Sequence, residues 1–397
     1  MTASKSFYLI DAYALIYRSY YAFIKNPRYN SKGLNTSASF GFVNTLIDII
    51  KNRKPDYLAV AFDLSGPTFR HQMYPQYKAN RQETPEDIKV SIPIIRNLLQ
   101  AFQIPVVEMP GFEADDVIGT LAKLGETKNM DVFMITPDKD YCQLVSKKIN
   151  IIKPKSFSSE YEVLTDKEIL QKFEISDPVQ FIDILALMGD TSDNVPGAPG
   201  IGEKTAIKLI SQFNNIENLF QNIHNLKGKQ KEIIEQHKDQ ILMSRKLVTI
   251  DINVPGNWNV DDFVCKPPQT EKLKAILEDL EFKTVIKRLF DSAPAPVSYA
   301  PVQASLFDLP EVHAPELSHL DSIENTEHNY VLLDDLQKIE NFVAEVENSY
   351  LLCFDTETTG LDVHSAELVG LSFSVKEGES FYIPVPSDAE KTKQIVD

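Results

Sequence analysis

Apolar residues in the first 150 positions fall into short runs that each end in an acid. FYLI at 7–10 precedes Asp11, YLAVAF at 57–62 precedes Asp63, and VFMI at 132–135 leads through Thr136 and Pro137 to Asp138, with Asp140 two residues on. Such unbroken runs predict strands buried on both faces. Between them, stretches with helical spacing predict helices over 12–21, 37–51 and 85–102. The last opens with Thr84, Pro85 and Asp87, an N-cap, a proline at the first helical position and an approximate capping box. Strand, helix, strand at this spacing predicts an α/β fold: a mostly parallel central sheet flanked by helices, with right-handed crossovers. Ligands of such sheets bind beyond the carboxyl ends of the strands. Asp11, Asp63, Asp138 and Asp140 all stand there. Any one of them alone reads most simply as a turn residue, but four do not.

A second signal is GFEADDVIG at 111–119, where Glu113, Asp115 and Asp116 precede the apolar Val117, Ile118, Leu121 and Leu124. One or two acids suit a helix's first turn; three exceed that need. On a helix Glu113 and Asp116 lie only ~60° apart, so their carboxylates converge and call for a cation between them. Further on, a helix over 178–188 ends at Gly189, and GDTSDNVPGAPGIGEKTA follows. Its Asp190 and Asp193 read equally well as loop residues. Gly197, Gly200 and Gly202 then lead into a helix near Glu203, with Lys204 and Thr205 in its first turn. This is not a P-loop, because Glu203 separates the last glycine from the lysine. It fits a tight turn between two helices whose backbone N–H groups approach a phosphate, with Lys204 and Lys208 adding charge.

Residues 64–89 interleave Arg70, His71, Lys78 and Arg81 with Phe69, Tyr74 and Tyr77. A solvated loop with aromatic anchors is one reading. A stacking and electrostatic platform for single-stranded nucleic acid is the other, favoured by its place directly after Asp63. Residues 291–325 are rich in proline, alanine and serine and predict an extended linker. Within it QASLF, beginning at Gln303 and ending at Phe307, is either incidental or a docking peptide. Beyond it YLLCF at 350–354 predicts a buried strand, and DTETTGLD places Asp355 and Glu357 on one face of it.

Composition narrows the chemistry. The chain has 397 residues, 43% hydrophobic and 24% charged, enough for more than one domain. Cys142, Cys265 and Cys353 show no CxxC spacing, so neither a disulfide framework nor a zinc site is expected. Oxygen ligands suit magnesium or manganese. The net charge of −17 is carried by residues 291–397, with four basic against 21 acidic residues; the first 290 residues hold 36 of each. A DNA partner is therefore not excluded. No apolar run reaches a membrane span and none opens the chain as a signal would, so a cytoplasmic protein is expected.

In order along the chain, the strand ending in Asp11, AFD at Asp63, FRHxxYxxYKxNR from Phe69 to Arg81, GFEADDVIG, TPDKDYCQL and GDTSDNVPGxPGIGEKTA resemble the 5′-nuclease (flap endonuclease) domain family of bacterial DNA polymerase I. DTETTGLD is similar to the first acidic motif of the 3′–5′ proofreading domain, whose later motifs are absent. The resemblance implies a PIN-like catalytic core over 1–175 with a helical arch near 64–89. It also implies a helix-hairpin-helix subdomain over 176–290, a linker over 291–325, and over 326–397 an incomplete RNase H-like region. It implies two or more Mg²⁺ or Mn²⁺ ions on Asp11, Asp63, Glu113, Asp115, Asp116, Asp138, Asp140, Asp190 and Asp193. Asp11, Asp63, Glu113, Asp115 and Asp116 would act through one ion, and Asp138, Asp140, Asp190 and Asp193 through the other. Arg70 and Lys78 would orient the scissile phosphate. Tyr77, Arg81, Gly197, Gly200, Gly202, Lys204 and Thr205 would join them in binding DNA, with a potassium ion at the hairpin. Expected partners are DNA with 5′ flaps, nicks or RNA primers, and a sliding clamp through QASLF, for a monomer. A small-molecule phosphatase on a similar sheet and a non-catalytic junction binder are the alternatives.

Overall fold

The computed structural model describes residues 4–154, 161–290, 329–346, 352–359, 367–376, 378–386, 388 and 392. The strands are β1 (Ser6–Asp11), β2 (Tyr57–Ala61), β3 (Val106–Val107), β4 (Asp131–Ile135), β5 (Ile149–Pro154), β6 (Tyr161–Leu164), β7 (Asn329–Leu332), β8 (Cys353–Thr358), β9 (Leu368–Lys376) and β10 (Glu379–Pro384). The first helices are α1 (Ala12–Ala22), α2 (Ser37–Asp48), α3 (Phe69–Met73), α4 (Glu86–Ala101), α5 (Ala114–Thr127), α6 (Asp166–Phe173) and α7 (Phe181–Met188). They are followed by α8 (Glu203–Phe213), α9 (Ile216–Gln221), α10 (Gly228–Gln236), α11 (Lys238–Val248), α12 (Thr270–Asp279), α13 (Lys283–Phe290) and α14 (Leu336–Val346).

The main sheet runs β3-β2-β1-β4-β5-β6, with β1 paired in parallel to both β2 and β4, and β6 antiparallel at the edge. The chain works outward from β1 to β3 on one side and from β4 to β6 on the other. The order therefore reverses between β1 and β4, a switch point where the strand ends leave a crevice. Alternate residues serve opposite faces. Phe7, Leu9, Ala59, Val132 and Met134 join the apolar cluster that includes Val117 and Leu121 of α5, Leu185 of α7 and Leu247 of α11. Tyr8, Ile10, Leu58, Val60 and Ile135 join the other, with Ile16 of α1, Phe42 of α2, Leu98 of α4, Leu273 and Leu277 of α12 and Val285 of α13. The two last helices of this part thus close the core begun by the first strand.

The structure shifts several predicted bounds. α2 ends at Asp48 and continues as a π-helical turn over Ile49–Arg53. α4 starts at Glu86 behind Pro85, with no side-chain cap; Thr84 Oγ1 instead accepts from the Tyr17 hydroxyl at 3.0 Å. β3, which the apolar runs above did not include, spans two residues.

Two compact units are present, Met1–Leu309 and Pro310–Asp397. In the second the sheet order is β7-β10-β9-β8. β8, expected to be buried, is its edge strand and is exposed along its length, because among the described residues it pairs with β9 alone. The linker residues 291–325 and QASLF lie outside the described residues.

Gly189 and Gly197 bring two backbone segments together: a Cβ on Gly197 (φ +58°) would collide with Gly189 and Met188, and one on Gly189 (φ +74°) with the Val195 carbonyl. Gly200 (φ +77°) faces open space. Gly197→Ala is therefore expected to cost about 3 kcal/mol, from overpacking added to left-handed strain. Gly200→Ala should cost about 1 kcal/mol, from strain alone. Urea midpoints of the two variants measure the difference, and equal midpoints would contradict it.

Candidate active site

At the switch point the end of β1 presents Asp11, which also caps α1: its Oδ1 accepts from the Ala14 N–H at 3.0 Å. Its Oδ2 accepts from the Tyr141 hydroxyl at 3.2 Å. Burial, with Asp63 and Asp138 nearby as like charges, pushes the Asp11 carboxyl up to about 7. Asp63, beyond β2, accepts from the Ala114 N–H at 2.9 Å, and burial raises it too, against the opposing pull of that bond and of Lys78. Beyond β4, Asp138 Oδ1 accepts from the Asp140 N–H at 3.0 Å. Burial, Asp138 and Asp190 hold the Asp140 carboxyl well above the usual range, and its Oδ1 is buried with no hydrogen-bond partner.

The start of α5 answers the question posed by its three acids. Glu113 is the N-cap and forms a reciprocal capping box with Asp116. Where a divalent ion was expected from sequence, the guanidinium of Arg70 of α3 stands against these acids. Its guanidinium grips Asp116 through two bonds of 2.7 Å, with Glu113 Oε2 at 3.6 Å. Arg70 Nε and Nη2 also donate to the carbonyls of Leu247 and Thr249 at 2.8 and 2.9 Å. Asp116 accepts two more bonds, from the N–H groups of Glu113 (3.0 Å) and Asp251 (2.8 Å). Arg70 is 1% exposed and Asp116 0%. Contrary to the expectation from sequence, Arg70 does not face a phosphate and Asp116 does not face a metal site; each is consumed by the other. Their neighbour Asp115 points elsewhere. It lines a gap of ≈ 10 Å³, on the scale of one water-sized sphere, together with Asp140, Asp190, Asp193 and Tyr77.

Residues 76–81 lie on the 190–194 loop. The Lys78 N–H donates to the Asp193 carbonyl at 2.9 Å, Asn80 to the Thr191 carbonyl at 2.6 Å, and Asn194 to the Gln76 carbonyl at 2.7 Å. Lys78, in left-handed backbone (φ 57°), puts its ammonium 2.8 Å from Glu113 Oε2 and 3.6 Å from Asp193 Oδ2. Arg81 pairs with Asp193. Burial alone would raise Asp193, but Lys78 and Arg81 together hold it low. Tyr77 is buried, with its hydroxyl 3.0 Å from both Glu113 and Asp193, so it offers no stacking face to a base. Lys139 pairs with Asp190 at 3.1 Å. Lys139 and Tyr141 escaped the sequence reading although both lie inside TPDKDYCQL. A lysine set between two aspartates was the available signal.

The site residues thus gather, with three qualifications. Among the described residues no three side chains converge into a preformed metal cage, because Arg70, Lys78, Arg81 and Lys139 each draw a carboxylate aside. Gly197 is buried, its N–H donating to Ser244 Oγ and its carbonyl accepting from the Gln240 side-chain amide, so the exposed part of the turn is Gly200, Gly202 and Lys204, with Thr205 half-buried. Asp355 and Glu357 do share a strand, but both are exposed and no third ligand stands by among the described residues.

The residues fit divalent ions: a partnerless buried carboxylate oxygen, an ion-sized gap walled by four acids, and oxygen donors throughout. Fold and acids together define the class as an α/β nuclease. The T5 5′-exonuclease with divalent metal ions (zinc) bound is similar in fold, at TM-score 0.52 and 23% identity over 70% of this chain and 99% of that one. A bacteriophage T5 flap endonuclease complex with DNA and metal ions matches at TM-score 0.52 and 24% identity, over 70% and 100%. Residues 6–174 match the 5′–3′ exonuclease N-terminal resolvase-like domain and residues 176–271 the 5′–3′ exonuclease C-terminal SAM fold. The chain therefore belongs to the 5′–3′ exonuclease family. DNA polymerase I of Bacillus subtilis is 40% identical over 297 residues, 74% of this chain and 33% of the relative. That of Borreliella burgdorferi is 32% identical over 381 residues, 96% and 41%. The chain thus spans about a third to two-fifths of these relatives' length. No helix among the described residues is long and apolar enough to cross a membrane.

The charge state of Asp11 has a consequence for stability. Its folded pKa of about 7 lies above the ordinary aspartate value of 3.8. Below the lower value both states hold the proton and nothing is lost. Between the two values the unfolded chain releases it first, so stability falls as pH rises and levels off above about 7. In protein stripped of metal by chelator, Asp11→Asn is expected to raise the melting temperature at pH 8, with the gain vanishing towards pH 4. A gain that persists at pH 4 would contradict this origin.

Proposed function

We propose that residues 1–290 act as a divalent-metal-dependent 5′-nuclease that cuts phosphodiester bonds at 5′ flaps, nicks and RNA primers, working as part of a DNA polymerase I-type enzyme. The observation that carries this is the meeting of Asp11, Asp63, Asp115, Asp138, Asp140, Asp190 and Asp193 around the switch point, beside exposed cationic and Gly-rich backbone. Two ions of Mg²⁺ or Mn²⁺, when bound, would supply Lewis-acid charge to the scissile phosphate and its attacking water. Asp115, Asp140, Asp190 and Asp193 would hold one at the gap, and Asp11, Asp63 and Asp138 the other. This division differs from the one expected from sequence, because Asp115 lines the gap with Asp140, Asp190 and Asp193, Asp138 stands near Asp11, and Glu113 and Asp116 already serve Lys78 and Arg70.

The chain's own groups then divide the work. Tyr141 and the Ala14 N–H fix both oxygens of Asp11, and the Ala114 N–H fixes Asp63. Lys78 and the exposed Arg81, now paired to Glu113 and Asp193, sit on the segment next to the cluster. They can exchange those carboxylates for a substrate phosphate and stabilise its developing charge. The N–H groups of Gly200 and Gly202 and the Lys204 ammonium hold duplex backbone; a potassium ion at this turn, a sliding-clamp contact through Gln303 to Phe307 and a monomeric state complete the proposal. Asp355 and Glu357 would belong to a proofreading-type region and add nothing to this reaction.

A phosphatase for small esters needs neither the hairpin nor the cationic segment, and a pure binder has no need to keep repelling acids together. Asp115→Asn is expected to slow cleavage of a labelled 5′-flap duplex in magnesium by on the order of 100-fold or more, while duplex binding is retained. Chelator should stop the wild type. Unchanged turnover of the variant, or turnover of a simple phosphomonoester in place of flaps, would overturn the proposal.

A further inference from the structure

The Gly-rich turn packs on the first two turns of helix α11, and the acid cluster is tied to its C-terminal end. At the turn, the Gly197 N–H donates to Ser244 Oγ at 3.1 Å, and the Gln240 side-chain amide donates to the Gly197 carbonyl at 2.7 Å. At the other end the carbonyls of Leu247 and Thr249, which helical geometry leaves without partners inside the helix, accept from Arg70 at 2.8 and 2.9 Å. Arg70 in turn grips Asp116, one residue from Asp115, and the Asp251 N–H just past α11 donates to the same carboxylate at 2.8 Å. At 1.5 Å per residue, the attachments at the turn stand about 5 Å (Ser244 to Leu247) to about 14 Å (Gln240 to Thr249) from those at the acids along the axis.

We infer that α11, anchored by Gln240 and Ser244 at the turn and by Arg70 at the acids, is a strut that sets which phosphodiester is cut. Arg70, Gln240 and Ser244 are then positioning residues for the cleavage register. This rests on the nuclease reading above. The duplex is held at Gly200, Gly202 and Lys204, and the bond broken is the one that reaches Asp115 and its neighbours. The separation between those two places therefore selects a nucleotide. A helix resists compression, and its two attachments are made by fully buried or multiply bonded groups: Ser244 is 0% exposed and Arg70 1%. A buried ion pair is a poor source of net stability, since desolvation offsets most of its attraction. Holding two elements in one geometry is the service that a forked guanidinium performs well.

The test maps cut positions, at single-nucleotide resolution, on an end-labelled 5′-flap duplex in magnesium for the full chain and for Gln240→Ala, Ser244→Ala and Arg70→Lys. The wild type is expected to give one dominant product. Each variant should lose it to a ladder over neighbouring phosphates and cut on the order of 10- to 100-fold more slowly, the scale of an ångström-sized misplacement. Affinity for the uncut duplex, measured in calcium, should stay at the wild-type value. Variants that cut more slowly but at the same single position would overturn the strut and leave Arg70 a purely stabilising group. Should Arg70→Lys fail to fold, Gln240→Ala decides alone, since its side chain is half-buried and remote from the acids. Absence of wild-type cleavage in magnesium and in manganese would overturn the nuclease reading and the strut together. A single unchanged register in cleaving variants overturns the strut only.

Discussion

Negative charge crowded into one crevice is the constraint on which the rest of this structure depends. Two unit charges about 4 Å apart repel by roughly 4 kcal/mol at the effective dielectric of a protein surface. A few such pairs would exceed the roughly 5–15 kcal/mol by which a domain is stable. The fold answers with cations of two kinds. Arg70 is buried and forked onto Asp116, a permanent neutralisation. Lys78, largely buried, holds Glu113, while Arg81 and Lys139 reach in from the surface onto Asp193 and Asp190. The pairings of Arg81 and Lys139 are ones that water, salt or a competing ion can replace.

Asp115 and Asp116 show how finely this is divided. Consecutive helical residues point ~100° apart, so one carboxylate turns to the gap beside Asp140 and Asp190 while the next turns inward to the guanidinium. The same helix start thus supplies one group to the gap and one to the architecture. Neither could take the other's place without rotating α5 against β1 and β4.

What the sequence disclosed and what it hid follow from the range of the forces involved. Asp11, Asp63 and Asp138 were legible because a strand's end is a local event, marked where an apolar run stops. The parallel sheet followed from the spacing of those runs. Arg70 and Tyr77 were misjudged because their partners stand far along the chain, Asp116 and Leu247 for one, Glu113 and Asp193 for the other. A cation or an aromatic in a polar stretch looks the same whether it faces solvent or a buried acid. Gly197 carried a true signal with the wrong reason: glycine is needed there for the approach of Gly189, and not for a phosphate. The edge position of β8 depends on which strands are available to pair, which no local pattern records.

The closing helices α12 and α13 give the molecule a particular life history. Leu273, Leu277, Phe282 and Val285 finish an apolar layer whose other members include Tyr8, Ile10 and Phe42. On a ribosome, where residues emerge at roughly 5–20 per second, α2 and α4 would wait through most of the nuclease before the helices that pack on their outer side arrive. During that interval the apolar flanks of those two helices are open to chaperones and to aggregation. A fragment cut at residue 271, where the family match ends, would keep every acid of the crevice and yet remain in that half-finished condition.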